Sequence, residues 1–277
     1  MDPLQYPPDL TLTRKRNSSP PIDLGTDAHP LAHFMSSDHD SDGGQPIVPT
    51  QLPTVLHSTL LLSFPRPVSK TIVDEKDEDA PAVSIRLAVD ASPGCGGVAW
   101  PAGQVLATYL ASTRRMRGQS VLELGSGTGL VGLVAAVLGA SVCITDQAML
   151  LDIMHENVTL NALEGAVTVA ELNWGEPLPT TLSAKYTSPD VILAADCVYF
   201  EPAFPLLVHT LVLLTSDART EVLFCYKKRR KADKRFFTLL KKQFTWTEAC
   251  LAIPSSAYYS LSTTDYRPPR PGSVHAR

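Results

Sequence analysis

The sequence predicts an α/β fold: a seven-stranded sheet with helices on both faces and an N-terminal β-hairpin extension. Three features carry that expectation. An apolar run, QSVLELGSGTG over residues 119–129, ends in three alternate glycines where a helical apolar pattern begins, the strand, tight turn and helix of a nucleotide-binding unit. The helical pattern LVGLVAAVLG (130–139) leads into a second β-type run, SVCITD, whose last residue Asp146 lies 21 residues past Gly125. In doubly wound sheets an acid about 20 residues past the glycines closes the second strand. From there to residue 263, β-type and helical patterns alternate, as an α/β sheet requires.

Each element follows from its residues. Residues 1–50 are rich in Pro, Ser, Asp and Gly with little apolar periodicity and read as a disordered tail, dispensable for chemistry. Residues 51–265 are read as one domain. TVLHSTLLLSF (54–64) and AVSIRLAVD (82–90) are β-type runs separated by the acidic DEKDED (74–79), whose charges favour a solvated loop; an antiparallel pair beside the main domain is expected. WPAGQVLATYLAST (100–113) has an amphipathic helical pattern with Pro101 in its first turn, where the missing N–H has no intrahelical partner in any case. Strands are expected near 120–124, 141–146, 167–172, 190–195, 221–226, 246–252 and 258–263. The proline-broken YRPPRPGSVHAR (266–277) reads as a flexible tail.

Composition bounds the function. With 277 residues, 44% apolar and 19% charged, the chain has material for one large core plus tails. A net charge of −4 argues against a protein held to nucleic acid by its overall field. Cys95, Cys143, Cys197, Cys225 and Cys250 are odd in number and scattered, with no CxxC pair. They read as reduced residues, and no zinc or other metal site is suggested. The longest apolar stretch, around 130–144, is glycine-broken and too short to span a bilayer. A soluble, cytoplasmic, monomeric protein is expected, with the nucleus as the alternative compartment.

The chemistry concentrates in four places. Gly125, Gly127 and Gly129 put no Cβ between backbone and ligand, and N–H groups of the following helix face polar or anionic oxygens. The dinucleotide spacing GxGxxG is broken by Leu130, and Glu123 stands two residues before the first glycine. That acid would repel a pyrophosphate but suits a cofactor carrying an ammonium and a sulfonium, such as S-adenosylmethionine. Asp146 is placed to bond ribose hydroxyls, or alternatively to cap the next helix. In ELNWGE (171–176), Trp174 is placed at the sheet edge to stack on adenine, with Asn173 on its polar edge; a core tryptophan is the alternative. DVILAADCVY (190–199) ends in Asp196 and Tyr199, at the carboxyl ends of the strands. There a carboxylate can orient a cationic nucleophile and a phenol can bond it or offer its ring face, unless Asp196 only caps a turn. The basic KKRRKADKR (227–235) belongs on the same rim, as a docking surface or as a solvated face.

Taken in order, GCGGVAWPAG, VLELGSGTGLVG, ITD, LNWGE, ADCVY and FCYKKRRK resemble the seven-strand, S-adenosylmethionine-dependent protein-lysine methyltransferases of methyltransferase family 16, over about residues 90–252. The GCGG before Trp100 and the KKRRK run look most like the fungal enzymes that methylate a lysine of translation elongation factor 1-alpha. The resemblance implies a Rossmann-like fold and a protein substrate. It also implies that Trp100, Gly125, Ser126, Gly127, Asp146, Trp174 and Ala195 contact the cofactor, Ala195 through its backbone, and that Asp196 to Tyr199 form the substrate-side motif.

Rival readings meet specific obstacles. A nicotinamide-dependent reductase would share the sheet and Asp146, but Leu130 breaks its fingerprint and no TyrxxxLys pair follows the fourth strand. Amino-directed nucleic-acid methylation commonly uses an (Asp/Asn)ProPro(Tyr/Phe) loop where this chain has DCVY. A binding module without activity would have no use for the glycines, Asp146 and Trp174 together.

Overall fold

The computed structural model describes residues 58–66, 82–90, 95–215, 219–227, 233–249 and 259–263. The expected tails (1–50 and 266–277), the acidic 74–79 segment and positions 228–232 of the basic run lie outside the described residues. Strands β1 (Ser58–Phe64) and β2 (Val83–Val89) pair antiparallel, with Leu60 opposite Leu87 and Leu62 opposite Ile85, as the two β-type runs require. Next come α1 (Pro101–Thr113), β3 (Ser120–Leu124), α2 (Leu130–Val137), β4 (Ser141–Asp146), α3 (Leu151–Leu160) and β5 (Val167–Glu171). The short α4 (Ala184–Thr187), β6 (Val191–Ala195), α5 (Phe204–Leu214), β7 (Glu221–Lys227), α6 (Asp233–Leu240), β8 (Thr247–Ala249) and β9 (Tyr259–Thr263) complete the chain.

The sheet has seven strands in the order β5-β4-β3-β6-β7-β9-β8. β3 to β7 run parallel, whereas β9 pairs antiparallel with both β7 and β8. Its inner parallel strands β3, β4, β6 and β7 are covered on both sides, so they read as continuous apolar runs rather than alternating ones. Val121, Val142, Ile144, Val191, Leu193 and Leu223 face α1, α2, α3 and the hairpin; Leu122, Leu124, Cys143, Ile192, Ala194 and Phe224 face α4, α5 and α6. Burying each such Val, Leu or Ile side chain contributes about 1.5–3 kcal/mol. Gly132 lets α2 lie directly on the sheet, for a Cβ there would stand 2.3 Å from Ile144 Cγ2 and 2.7 Å from Glu123 Oε2.

The strand order locates the site. The chain steps outward from β3 to β4 to β5, then returns to the other side of β3 as β6. Connections after β3 and β6 therefore leave in opposite directions and open a crevice at their carboxyl ends. Gly125 to Gly129 and Asp196 to Tyr199 both follow those ends. Among the described residues no helix is long and apolar enough to cross a membrane, and no group of three or more His, Cys, Asp or Glu is placed to hold a metal ion.

Candidate active site at the sheet switch point

The glycine turn is built for close approach. Gly125, Gly127 and Gly129 have φ of 59°, 55° and 80°, the left-handed region that favours glycine. A Cβ on Gly125 would lie 2.9 Å from Trp174 Cζ2 and 3.1 Å from Cys197 Sγ, and one on Gly127 would lie 2.5 Å from the backbone oxygen of Gly96. The turn is thus held between an indole on one side and the short helical turn Cys95–Gly97 on the other. Ser126 stitches it to β4: its N–H donates to Thr145 O (3.0 Å), its Oγ accepts from Thr145 N (2.9 Å) and donates to Glu123 O (3.2 Å), and its carbonyl accepts from Gly129 N (2.7 Å). Its hydroxyl is committed to protein partners.

Glu123 occupies a place that spacing alone did not reveal. Its carboxylate, 2% exposed, accepts the Gly132 N–H in the first turn of α2 at 2.8 Å. A carboxyl oxygen at a helix N-terminus satisfies one of the free N–H groups there, so the chain's own acid fills the mouth where a phosphate would sit. Burial pushes this carboxyl up to about 8, with the nearby Asp146 charge adding and the bonds from Gly132 and Ser126 opposing. Asp146 reaches across from the tip of β4: Oδ2 accepts Gly127 N–H (2.8 Å) and Oδ1 accepts Gln147 N–H (2.8 Å). Burial raises its pKa against those two bonds. The helix α3 has no side-chain cap; Asp146 bonds the glycine turn on one side and Gln147, ahead of the next helical turn, on the other.

The loop after β6 faces the glycine turn. Asp196 has φ of 58°, a left-handed conformation that an Asp adopts more readily than most residues, and its N–H donates to Cys225 O at 2.8 Å. It is 8% exposed. Cys197 Sγ donates to Leu124 O (3.4 Å) and Ala195 O (3.6 Å), drawing this loop onto the end of β3. Burial drives the Cys197 thiol well above its ordinary pKa, and the carboxylates of Asp146, Asp196 and Glu123 all push it further up. Tyr199 lies partly buried between β6 and α5.

Trp100 and Trp174, two of the three tryptophans, lie on opposite flanks. Trp174 is partly buried and packs against the α5 and α6 side of the core; the following Gly175, at φ 85°, donates its N–H to Thr210 Oγ1 at 2.9 Å. The Asn173 amide donates to Glu171 (3.0 Å) and Glu176 (3.3 Å). Trp100 precedes α1, and its carbonyl accepts from Gly103 and Gln104. The structure thus brings Glu123, Gly125, Gly127, Asp146, Trp174, Ala195 and Asp196 to one crevice, and sets Trp100 at the start of α1, just after the turn that covers Gly127. Thr145 and Asn157 take part in that packing without a signal of their own in the motifs, and Gly96 and Cys197 do so from within the GCGG and ADCVY runs. The spacing of Asn157 and Asn161 on one helix was the available signal for Asn157.

Comparison with known proteins identifies the family of the sequence. The sequence model of the lysine methyltransferase family matches residues 79–243. The chain is 42% identical over 175 residues, covering 54% of it and 71% of its relative, to protein-lysine N-methyltransferase EFM6 of Saccharomyces cerevisiae. It is also 43% identical over 159 residues to protein N-lysine methyltransferase METTL21A of Danio rerio (56% and 71% covered), and 40% identical over 156 residues to that of Mus musculus (55% and 70% covered).

Proposed function

The chain belongs to the lysine methyltransferase family, and on that premise we propose that it methylates a lysine of translation elongation factor 1-alpha, acting as a monomer in the cytoplasm. It is an S-adenosylmethionine-dependent protein-lysine N-methyltransferase. The elongation factor as substrate is supported by the GCGG before Trp100 and by the basic run. Residues 51–265 are the proposed catalytic domain, with the two terminal segments dispensable.

The observation that carries the site assignment is the left-handed glycine turn, closed between Trp174 and Gly96 and bonded by Asp146. With Glu123 already bonded in the mouth of α2, this crevice leaves no place there for a phosphate, which fits a cofactor without a pyrophosphate such as S-adenosylmethionine. Asp146 would hold the ribose, and Trp174 would stack on the adenine. Gly125, Gly127 and the Ala195 backbone would line the remainder, with Ser126 setting the shape of the turn and Trp100 closing the far side. When bound, S-adenosylmethionine supplies a methyl group on a cationic sulfur whose departure leaves a neutral thioether.

The residues of the chain must then present a neutral amine in line with that methyl. A free lysine, with a pKa near 10.4, has only about one molecule in a thousand in that form at pH 7.4, a deficit of roughly 4 kcal/mol. Partial desolvation beside a cation lowers that pKa, and alignment in a fixed channel supplies effective concentration. Asp196 and Tyr199 are the proposed orienting groups. Arg235 ion-pairs with Glu201, two residues past Tyr199, which sets the end of the basic run beside that loop and supports a docking role for Lys227 to Arg235.

Incubating purified elongation factor 1-alpha with the protein and labelled S-adenosylmethionine, and mapping the label by mass spectrometry, tests the substrate. Label on one lysine is expected. Cofactor binding with no label on the elongation factor would overturn the substrate while leaving the family assignment intact.

A further inference from the structure

We propose that Asn157 is a positioning residue for cofactor binding, which presets the glycine turn by clamping it to the N-terminal hairpin; this rests on the cofactor site assigned above. Asn157 is fully buried on α3. Its Oδ1 accepts the Ala88 N–H at 2.6 Å, and its Nδ2 donates both to Ala88 O (3.0 Å) and to Thr128 O (3.0 Å). One amide therefore holds β2 and the glycine turn together.

The clamp has a geometric basis. Asn161, one helical turn on, bonds Arg86 in the same way, with Oδ1 accepting its N–H at 2.9 Å and Nδ2 donating to its carbonyl at 2.7 Å. Four helical residues rise about 6 Å, close to the roughly 6.7 Å that separates alternate residues of a strand. Two asparagines four apart thus act as a substitute strand for the edge of β2. Only Asn157 makes the additional bond to the turn. A second contact couples the same bodies: Asp90 N–H donates to Gly97 O at 2.9 Å, and Gly96 O sits where a Gly127 Cβ would be. The hairpin end and the covering turn are therefore fixed against residues 127 and 128, a wall of the cofactor crevice. Asp196 and Tyr199 lie beyond β3 on the other side, so loss of the clamp should weaken cofactor binding without slowing the transfer step.

Asn157→Asp keeps the size and the acceptor but loses both donated bonds; Asn161→Asp does the same to the hairpin without touching the turn. Titration calorimetry with S-adenosylmethionine, steady-state kinetics and thermal melts on the full chain separate the cases. Asn157→Asp is expected to raise the cofactor Kd and KM at least about tenfold with kcat within about twofold, while Asn161→Asp lowers Tm but leaves cofactor affinity within about threefold. Equal affinities for Asn157→Asp and the unmodified chain, or equal weakening by both variants, overturn the proposal. Asp146→Ala run alongside shows which idea has failed: if it too binds normally, the site assignment is wrong; if it alone loses affinity, only the clamp is. Should Asn157→Asp not fold, hydrogen exchange of the unmodified chain decides. Cofactor must slow exchange of the Ala88 amide, and unchanged exchange there overturns the proposal.

Discussion

The two sides of the crevice are held by different forces. On the glycine side the parts are joined by polar bonds that are already made: Ser126 to Thr145, Glu123 to Gly132, Asp146 to Gly127 and Asn157 to Thr128. On the side of β6, one left-handed residue, a buried thiol and an aromatic cluster shape the loop. Phe236 stacks on Phe224 at 5.4 Å and meets Phe204 edge-on at 5.6 Å, behind a backbone bond from Asp196 to Cys225. A prebuilt polar cradle loses binding when one member is removed, because its buried partners are left unsatisfied at about 1–3 kcal/mol each. A loop shaped by packing keeps its form when a buried carboxylate such as Asp196 is exchanged for the amide of the same size, and loses what the charge does. Substitutions on the two sides should therefore separate affinity from rate.

The largest effect is expected at the turn itself. Gly127→Ala sets a Cβ 2.5 Å from a backbone oxygen at a left-handed φ, so the turn or the Cys95–Gly97 segment must move. We expect a stability loss of about 1–3 kcal/mol, read from urea midpoints, together with at least about tenfold weaker cofactor binding by calorimetry. Normal affinity would show that the cofactor does not approach this turn. Next, Asp146→Ala should weaken cofactor binding by about 1.5–3 kcal/mol, the scale of lost charge-assisted hydrogen bonds. Full affinity in a folded variant would remove Asp146 from the ribose site.

Across the crevice, Asp196→Asn should lower kcat at least about tenfold, or about 1.4 kcal/mol in the barrier, with cofactor affinity largely kept. Wild-type turnover would remove the orienting role. The smallest effect concerns pH. The Glu123 carboxyl is raised from 4.5 to about 8 chiefly by burial, so between those values the folded chain holds a proton that the unfolded chain has released. Its contribution to stability is full below pH 4.5 and is lost as pH rises toward 8. Urea midpoints of the cofactor-free protein between pH 5 and pH 8 should fall more steeply for the unmodified chain than for Glu123→Gln; parallel slopes would contradict the burial of this acid.

Much of this was legible in the residues, for reasons that also explain what was not. Parallel strands covered on both faces advertise themselves as short apolar runs, and β3, β4 and β6 lie within a residue of their expected bounds. The insertion of β9 between β7 and β8 is not local information; it depends on which distant edge is open. Glu123 was readable as hostile to a pyrophosphate, but its actual bond runs to an amide nine residues on, and only the seating of α2 on the sheet brings the two together. Ser126, assigned to the cofactor by resemblance, has its hydroxyl turned to Thr145 and Glu123. Asn157 and Asn161 look like a solvated helix face until β2 is known to lie against them.

On this reading one crevice holds the cofactor on the glycine side and the amine on the β6 side. Calorimetric titration of S-adenosylmethionine into the unmodified chain, Asp146→Ala and Asp196→Asn tests it most directly. One equivalent should bind to the unmodified chain, with affinity at least about tenfold lower in Asp146→Ala and within about threefold of unmodified in Asp196→Asn. Equal affinities in all three, or a greater loss in Asp196→Asn than in Asp146→Ala, would contradict it.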